Sequence, residues 1–133
     1  MNTSKAIEFL EKQIKDPKIG LTEEVFLFVS RLTPLLNVDL LIKDESGRIL
    51  LSWRNDIHGK GWHIPGGIIR FKEKMEDRVL KVADREIGMP VKFNSKPLVI
   101  NQFICNHKSR GHFISVLYKC FLSGDFIPKN IGL

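Results

Sequence analysis

Apolar residues recur along this chain with two different periods, and the switches between them mark the elements. From Ser4 to Ile14, the residues Ile7, Leu10 and Ile14 fall on one helical stripe among Glu8, Glu11, Lys12 and Lys15. That predicts an amphipathic helix capped by Thr3 or Ser4 and stopped by Asp16-Pro17. A second helix is expected from Thr22, with Leu21 and Phe26 stapled around a Thr22 cap and Pro34 at its end. Its buried stripe would be Val25, Phe28, Val29 and Leu32.

The period then changes to two. Leu36, Val38, Leu40 and Ile42 share one face of a strand, with Asn37, Asp39, Leu41 and Lys43 on the other. Asp44-Glu45-Ser46-Gly47 reads as a hairpin turn, and Arg48 to Arg54 alternates again as the return strand. Asn55 to Gly61 reads as a loop, and Trp62 to Pro65 as a short strand running into a tight Gly66-Gly67 turn. A central helix is predicted over 72–87, with Met75, Val79, Val82, Ala83 and Ile87 as its apolar face and Gly88 as its stop. Val91–Phe93, Leu98–Cys105 and His112–Leu122 read as strands, with a basic polar turn over 106–111. This order of elements predicts an α+β fold or a mixed α/β sandwich. We expect one domain over 1–133, with N-terminal helices over 1–33, a core over 34–125 and a tail over 126–133.

A chain of 133 residues with 43% hydrophobic content suits one compact core. No apolar run approaches the ~20 residues that span a bilayer, and the first residues carry charges inside their apolar stretch. The expectation is a cytoplasmic protein without membrane association. The net charge of +6 favours anionic partners. The basic residues are scattered among acidic and apolar ones, so a solvated basic surface is favoured over a nucleic-acid face. Cys105 and Cys120 are too far apart in sequence for a metal or redox pair and are expected as buried free thiols.

The chemistry concentrates between Gly66 and Gly88. Paired glycines allow close approach of backbone to a ligand. A carbonyl there and a carboxylate at Glu86, near the end of the following helix, are the hard oxygen donors that suit Mg²⁺, which completes its shell with water and substrate phosphate oxygens. The alternative is that Glu73, Glu76 and Glu86 are ordinary glutamates on a mixed-charge helix surface.

Residues 66–88 resemble a Nudix box, G-x5-E-x7-R-E-U-x-E-E-x-G-U with U apolar. Gly67, Glu73, Ala83, Glu86, Gly88 and Met89 match in register, whereas Lys81, Val82 and Arg85 stand where an arginine and two glutamates would be. The chain is most similar to the GDP-mannose mannosyl hydrolase branch, whose box also keeps a single late glutamate. Thr33-Pro34-Leu35 with Asp39, the segment Ile49 to Arg54, Gly61-Trp62 before Pro65-Gly66-Gly67, and His112-Phe113 extend that similarity over about residues 32–122.

The resemblance implies an α/β/α sandwich with a mixed sheet, a box helix and two extra N-terminal helices. It also implies Mg²⁺-dependent hydrolysis, with Mn²⁺ as an alternative ion, of a nucleotide sugar to nucleoside diphosphate and free sugar, water attacking the sugar carbon. The Gly66 carbonyl and Glu86 would bind the metal. Arg54 would neutralise the diphosphate and Asp39 would position charge near the substrate. The two are expected on adjacent strands, where a structural ion pair is the alternative. The branch carries an arginine directly after Gly-Gly; Ile68 stands there, and Arg70 is the nearest substitute for binding substrate. The branch's Gln-His loop, which supplies its base and remaining ligand, has no match in 123–133, so a base would come from His58, His63, His107 or His112. Two further readings stay open, a nucleotide-sugar binding module without catalysis and a Nudix pyrophosphohydrolase. A homodimer through the N-terminal helices is left open as well.

Overall fold

The structure, a computed structural model, describes residues 2–56 and 59–122. Its element order is α1 (Thr3–Gln13), a 3₁₀ turn (Pro17–Ile19), α2 (Glu23–Ser30), β1 (Leu35–Ile42), β2 (Ser52–Asp56), β3 (Gly59–His63), β4 (Gly66–Ile68), α3 (Met75–Val82) continued by a π turn (Ala83–Ile87), β5 (Val91–Phe93), β6 (Val99–Ile104) and β7 (His112–Leu122). The fold is α+β with a mixed sheet and, among the described residues, three α-helices, two of them N-terminal.

The sheet runs β4-β1-β7-β5, with β6 also paired to β7. β1 and β7 are parallel along their shared length, Leu35 opposite Phe113 through Ile42 opposite Cys120, and the remaining pairs are antiparallel. The period-two pattern of β1 sorts its side chains. Val38, Leu40 and Ile42 join Val116, Tyr118 and Cys120 of β7 in the core, under Val79, Val82, Ala83 and Ile87 of the box helix. Asn37 and Asp39 point to the opposite face, where the cleft described below opens. Burial pushes the Cys120 thiol up to about 12. Cys105, expected buried, is exposed. It follows β6, whose residues are all exposed because, among the described residues, β7 is the strand's one pairing partner and nothing covers it.

Several expectations change. Asn2, not Thr3 or Ser4, caps α1, accepting the Lys5 N–H at 2.9 Å, whereas Thr22 caps α2 as expected. Of the stripe expected in α2, Phe28 and Leu32 are exposed. The return strand from Arg48 does not hold. The Lys43–Ile49 bridge and a bond from Leu50 N–H to Ile42 O at 2.9 Å end that hairpin. The chain then forms a separate two-stranded sheet in which Trp53 faces Trp62, ring centroids 5.2 Å apart. That aromatic pair, absent from the simple alternation, explains why most of the expected 55–61 loop is strand. It also means that Arg54 and Asp39 lie on strands that do not pair with each other.

Candidate functional site in the cleft above the box helix

Gly66-Gly67 is not a tight turn. It is β4, an edge strand paired with β1, Asp39 opposite Gly66 and Val38 opposite Gly67. Neither glycine has a positive φ, so crowding on the two faces explains the residue type. A Cβ on Gly66 would collide with Asp39 Oδ1 and stand 2.8 Å from Val38 O, and one on Gly67 would stand 3.0 Å from Val82 Cγ2. Gly66 therefore lets Asp39 lie across the strand, and Gly67 lets the box helix pack onto it.

The register also orients the Gly66 backbone. Leu40 N–H donates to Pro65 O and Ile69 N–H to Leu36 O, which makes Gly66 and Asp39 a non-hydrogen-bonded pair whose peptide groups turn outward. The Gly66 N–H accordingly leaves the sheet and donates to Glu86 Oε2 at 2.8 Å, and its carbonyl is directed to the same edge. Glu86 Oε1 lies 3.1 Å from His63 Nε2. On a regular α-helix Glu86 would fall with Val79, Val82 and Ala83. The π turn instead buries Ile87 and leaves Glu86 at the edge of β4, and Gly88, at φ 80°, closes that turn with its N–H on Ala83 O at 2.8 Å.

The other matched glutamate has a different environment. The Glu73 side chain is only 6% exposed; Arg78 grips it through Nε at 2.7 Å and Nη2 at 2.8 Å, with Lys81 Nζ at 2.9 Å. Burial pushes the carboxyl up, but the hydrogen bonds from Arg78, Lys81 and the Arg70 N–H outweigh it and hold the group down at about 2. Glu73 is thus neither a surface glutamate nor a free ligand.

Above this edge lies a cleft of about 640 Å³ between the sheet and α2. Arg54, Arg70, Arg78, Arg85 and Arg110 line it, against the carboxylates of Glu23 and Asp39. Asp39 is held by Asn37 Nδ2 at 2.7 Å and by the Ser115 hydroxyl. Arg70, expected as a substrate ligand, donates from Nη1 to Ile19 O at 2.7 Å and so ties the segment before α2 to the cleft wall. Asp39, Arg54, Gly66 and Arg70 all line the cleft, as does His63, and Glu86 reaches it through Gly66 and His63. Among the other histidines, His107 is exposed, His112 faces Gln102 at 3.4 Å, and His58 lies outside the described residues, as does 123–133.

Arg110 was not legible in the sequence, where it is one basic residue in a polar turn. Here its N–H donates to the buried Ser30 hydroxyl at 3.0 Å, its φ is 57°, and its guanidinium lies 5.8 Å over the Phe26 ring at the cleft wall. No sequence signal joins Ser30 to Arg110, because that contact exists only once α2 folds over the sheet.

Among the described residues no three acidic, histidine or cysteine side chains cluster as a metal cage. The Glu86 carboxylate and the outward Gly66 carbonyl do fit a Mg²⁺ ion that draws its remaining ligands from water and substrate, which is that ion's ordinary habit.

No family model matches the chain. An ADP-ribose pyrophosphatase from Streptococcus suis is 30% identical, over 74% of this chain and 68% of that one, with a TM-score of 0.53. A MutT Nudix hydrolase from Burkholderia pseudomallei shares the fold at a TM-score of 0.61, with 22% identity over 74% of this chain and 75% of that one. A low-salt glycan biosynthesis protein, Agl8 of Haloferax volcanii, is 29% identical over 102 residues, 73% of this chain; the chain spans 65% of that relative's length. The chain has the fold of the Nudix hydrolases. No described helix is long and apolar enough to cross a membrane.

Proposed function

We propose that the chain hydrolyses a nucleoside diphosphate sugar, GDP-mannose or a related GDP-hexose, to GDP and free sugar. The observation that carries this reading is the Glu86 carboxylate held on the Gly66 N–H at the edge of an arginine-lined cleft. One carboxylate and one carbonyl match a box with a single late glutamate. The cleft's excess of guanidinium groups suits a diphosphate. A relative named for glycan biosynthesis supports a sugar-nucleotide substrate.

Gly66 O and Glu86 would hold Mg²⁺ or Mn²⁺, which when bound supplies Lewis-acid stabilisation to the departing diphosphate. His63 keeps the Glu86 carboxylate turned toward β4. Arg54 donates to the diphosphate oxygens. Asp39, fixed by Asn37 and Ser115, orients the sugar end through the oxygen lone pairs it has left. Arg70 contributes by closing the cleft wall against Ile19.

A second reading, a nucleotide-sugar binding module, is favoured by Val82 and Arg85 at two box positions that would carry glutamates. A third is cleavage between the phosphates, as the name of the Streptococcus suis protein describes for that enzyme. Product analysis with a panel of nucleotide sugars and Mg²⁺ separates the three. GDP plus hexose is expected, GMP plus hexose phosphate would replace it with the pyrophosphohydrolase, and saturable binding without turnover would replace it with the binding module.

A further inference from the structure

The box of this chain is inverted in charge at Arg85, where it opens into the cleft. Val82, at one acidic position of the box, is 3% exposed and packs on Gly67, so a carboxylate there would be buried against β4. Arg85, at another, is exposed on the rim between the main cleft and a neighbouring hollow of about 310 Å³. The basic residues around it are occupied: Arg78 and Lys81 by Glu73, Arg70 by Ile19 O. The Arg85 guanidinium makes no hydrogen bond or ion pair with any described residue. Its neighbour Glu86 is turned away, onto Gly66 and His63.

An exposed guanidinium without a partner among the described residues, at the mouth of a cleft that already holds Arg54, is a fork of donors matched in shape to two phosphate oxygens. From this we infer that Arg85 is a binding residue for the diphosphate, so that nucleoside diphosphates bind this chain without a divalent cation and the metal serves turnover alone. The inference rests on the reading of the cleft as a nucleoside diphosphate site. In a box with an acid in place of Arg85, two adjacent carboxylates at this mouth would repel a bare diphosphate, and a cation would have to screen them first. Here the same surface attracts it. Affinity and catalysis are then carried by adjacent residues, Arg85 and Glu86.

The test is calorimetric titration of the full chain with GDP, in EDTA and in Mg²⁺. The native chain is expected to bind in EDTA within about fivefold of its affinity in Mg²⁺, and Arg85→Gln to bind at least about tenfold more weakly in EDTA. Arg85→Glu, which puts the acid back, is expected to lose binding in EDTA and to regain it when Mg²⁺ is added. Far-UV circular dichroism and melting temperature, unchanged for substitutions at this exposed position, show that the variants are folded. No binding of GDP by the native chain in EDTA, or equal affinity of Arg85→Gln and native chain, overturns the inference. Binding in EDTA with no hydrolysis of any nucleotide sugar in Mg²⁺ would instead remove the proposed activity and leave the inference standing.

Discussion

The two ends of the box helix use the same residue type for opposite purposes. At the N-terminal end Glu73 is enclosed by Arg78 and Lys81, with its oxygens consumed by charged donors. At the C-terminal end Glu86 keeps a side chain 27% exposed and rests on one peptide N–H and one histidine. A carboxylate wrapped by two cations has nothing left for a ligand, whereas one held by a neutral N–H at a strand edge keeps its charge available. The matched box therefore divides into a half that holds the helix and a half that faces the cleft.

This division can be broken most severely at Glu73. Glu73→Gln leaves the Arg78 guanidinium buried without its counter-charge, and urea unfolding should show a loss of about 3 kcal/mol or more. Titration makes the same point without a substitution. The folded-state value of about 2 lies below the unfolded 4.5, so the stabilisation is complete above pH 4.5 and is lost as pH falls toward 2, about 3 kcal/mol in all. Native chain unfolded across that range should show the loss, and Glu73→Gln should show much less of it.

Next comes the strand between the two ends. Gly66→Ala drives a methyl onto Asp39 Oδ1 and Val38 O, and should cost about 2 kcal/mol in the same denaturation assay while displacing Asp39 from the cleft. Glu86→Gln should be smallest in stability, within about 1 kcal/mol of native, because the lost carboxylate is part-exposed and its partners can turn to water. Its effect falls on turnover instead, about 100-fold or more in a Mg²⁺-dependent assay, the equivalent of the several kcal/mol that a bound ion supplies. A Glu86→Gln variant as unstable as Glu73→Gln would erase the contrast.

Much of this was legible in the sequence. The alternation in β1 put Val38, Leu40 and Ile42 on the core face, although Leu36 at its start is exposed, and the spacing from Gly67 to Glu86 placed a carboxylate beside paired glycines. What escaped was set by contacts between distant residues. The Trp53–Trp62 pair diverts the return strand into its own sheet, which period-two alternation alone cannot foresee. The reason for the glycines lies in Asp39 and Val82, side chains on other elements. The burial of Glu73 depends on Arg78, five positions along, a spacing outside the usual i, i+3 and i, i+4 pairs, reached because Glu73 lies ahead of the helix, which begins at Met75.

The most direct test of the account follows the oxygen. Hydrolysis of GDP-mannose by the native chain in ¹⁸O-water with Mg²⁺, read by mass spectrometry, should place the label in free mannose and leave GDP unlabelled, with Glu86→Gln inactive and still folded. Label in GMP or in mannose phosphate, or no turnover of any nucleotide sugar by the native chain, would contradict it.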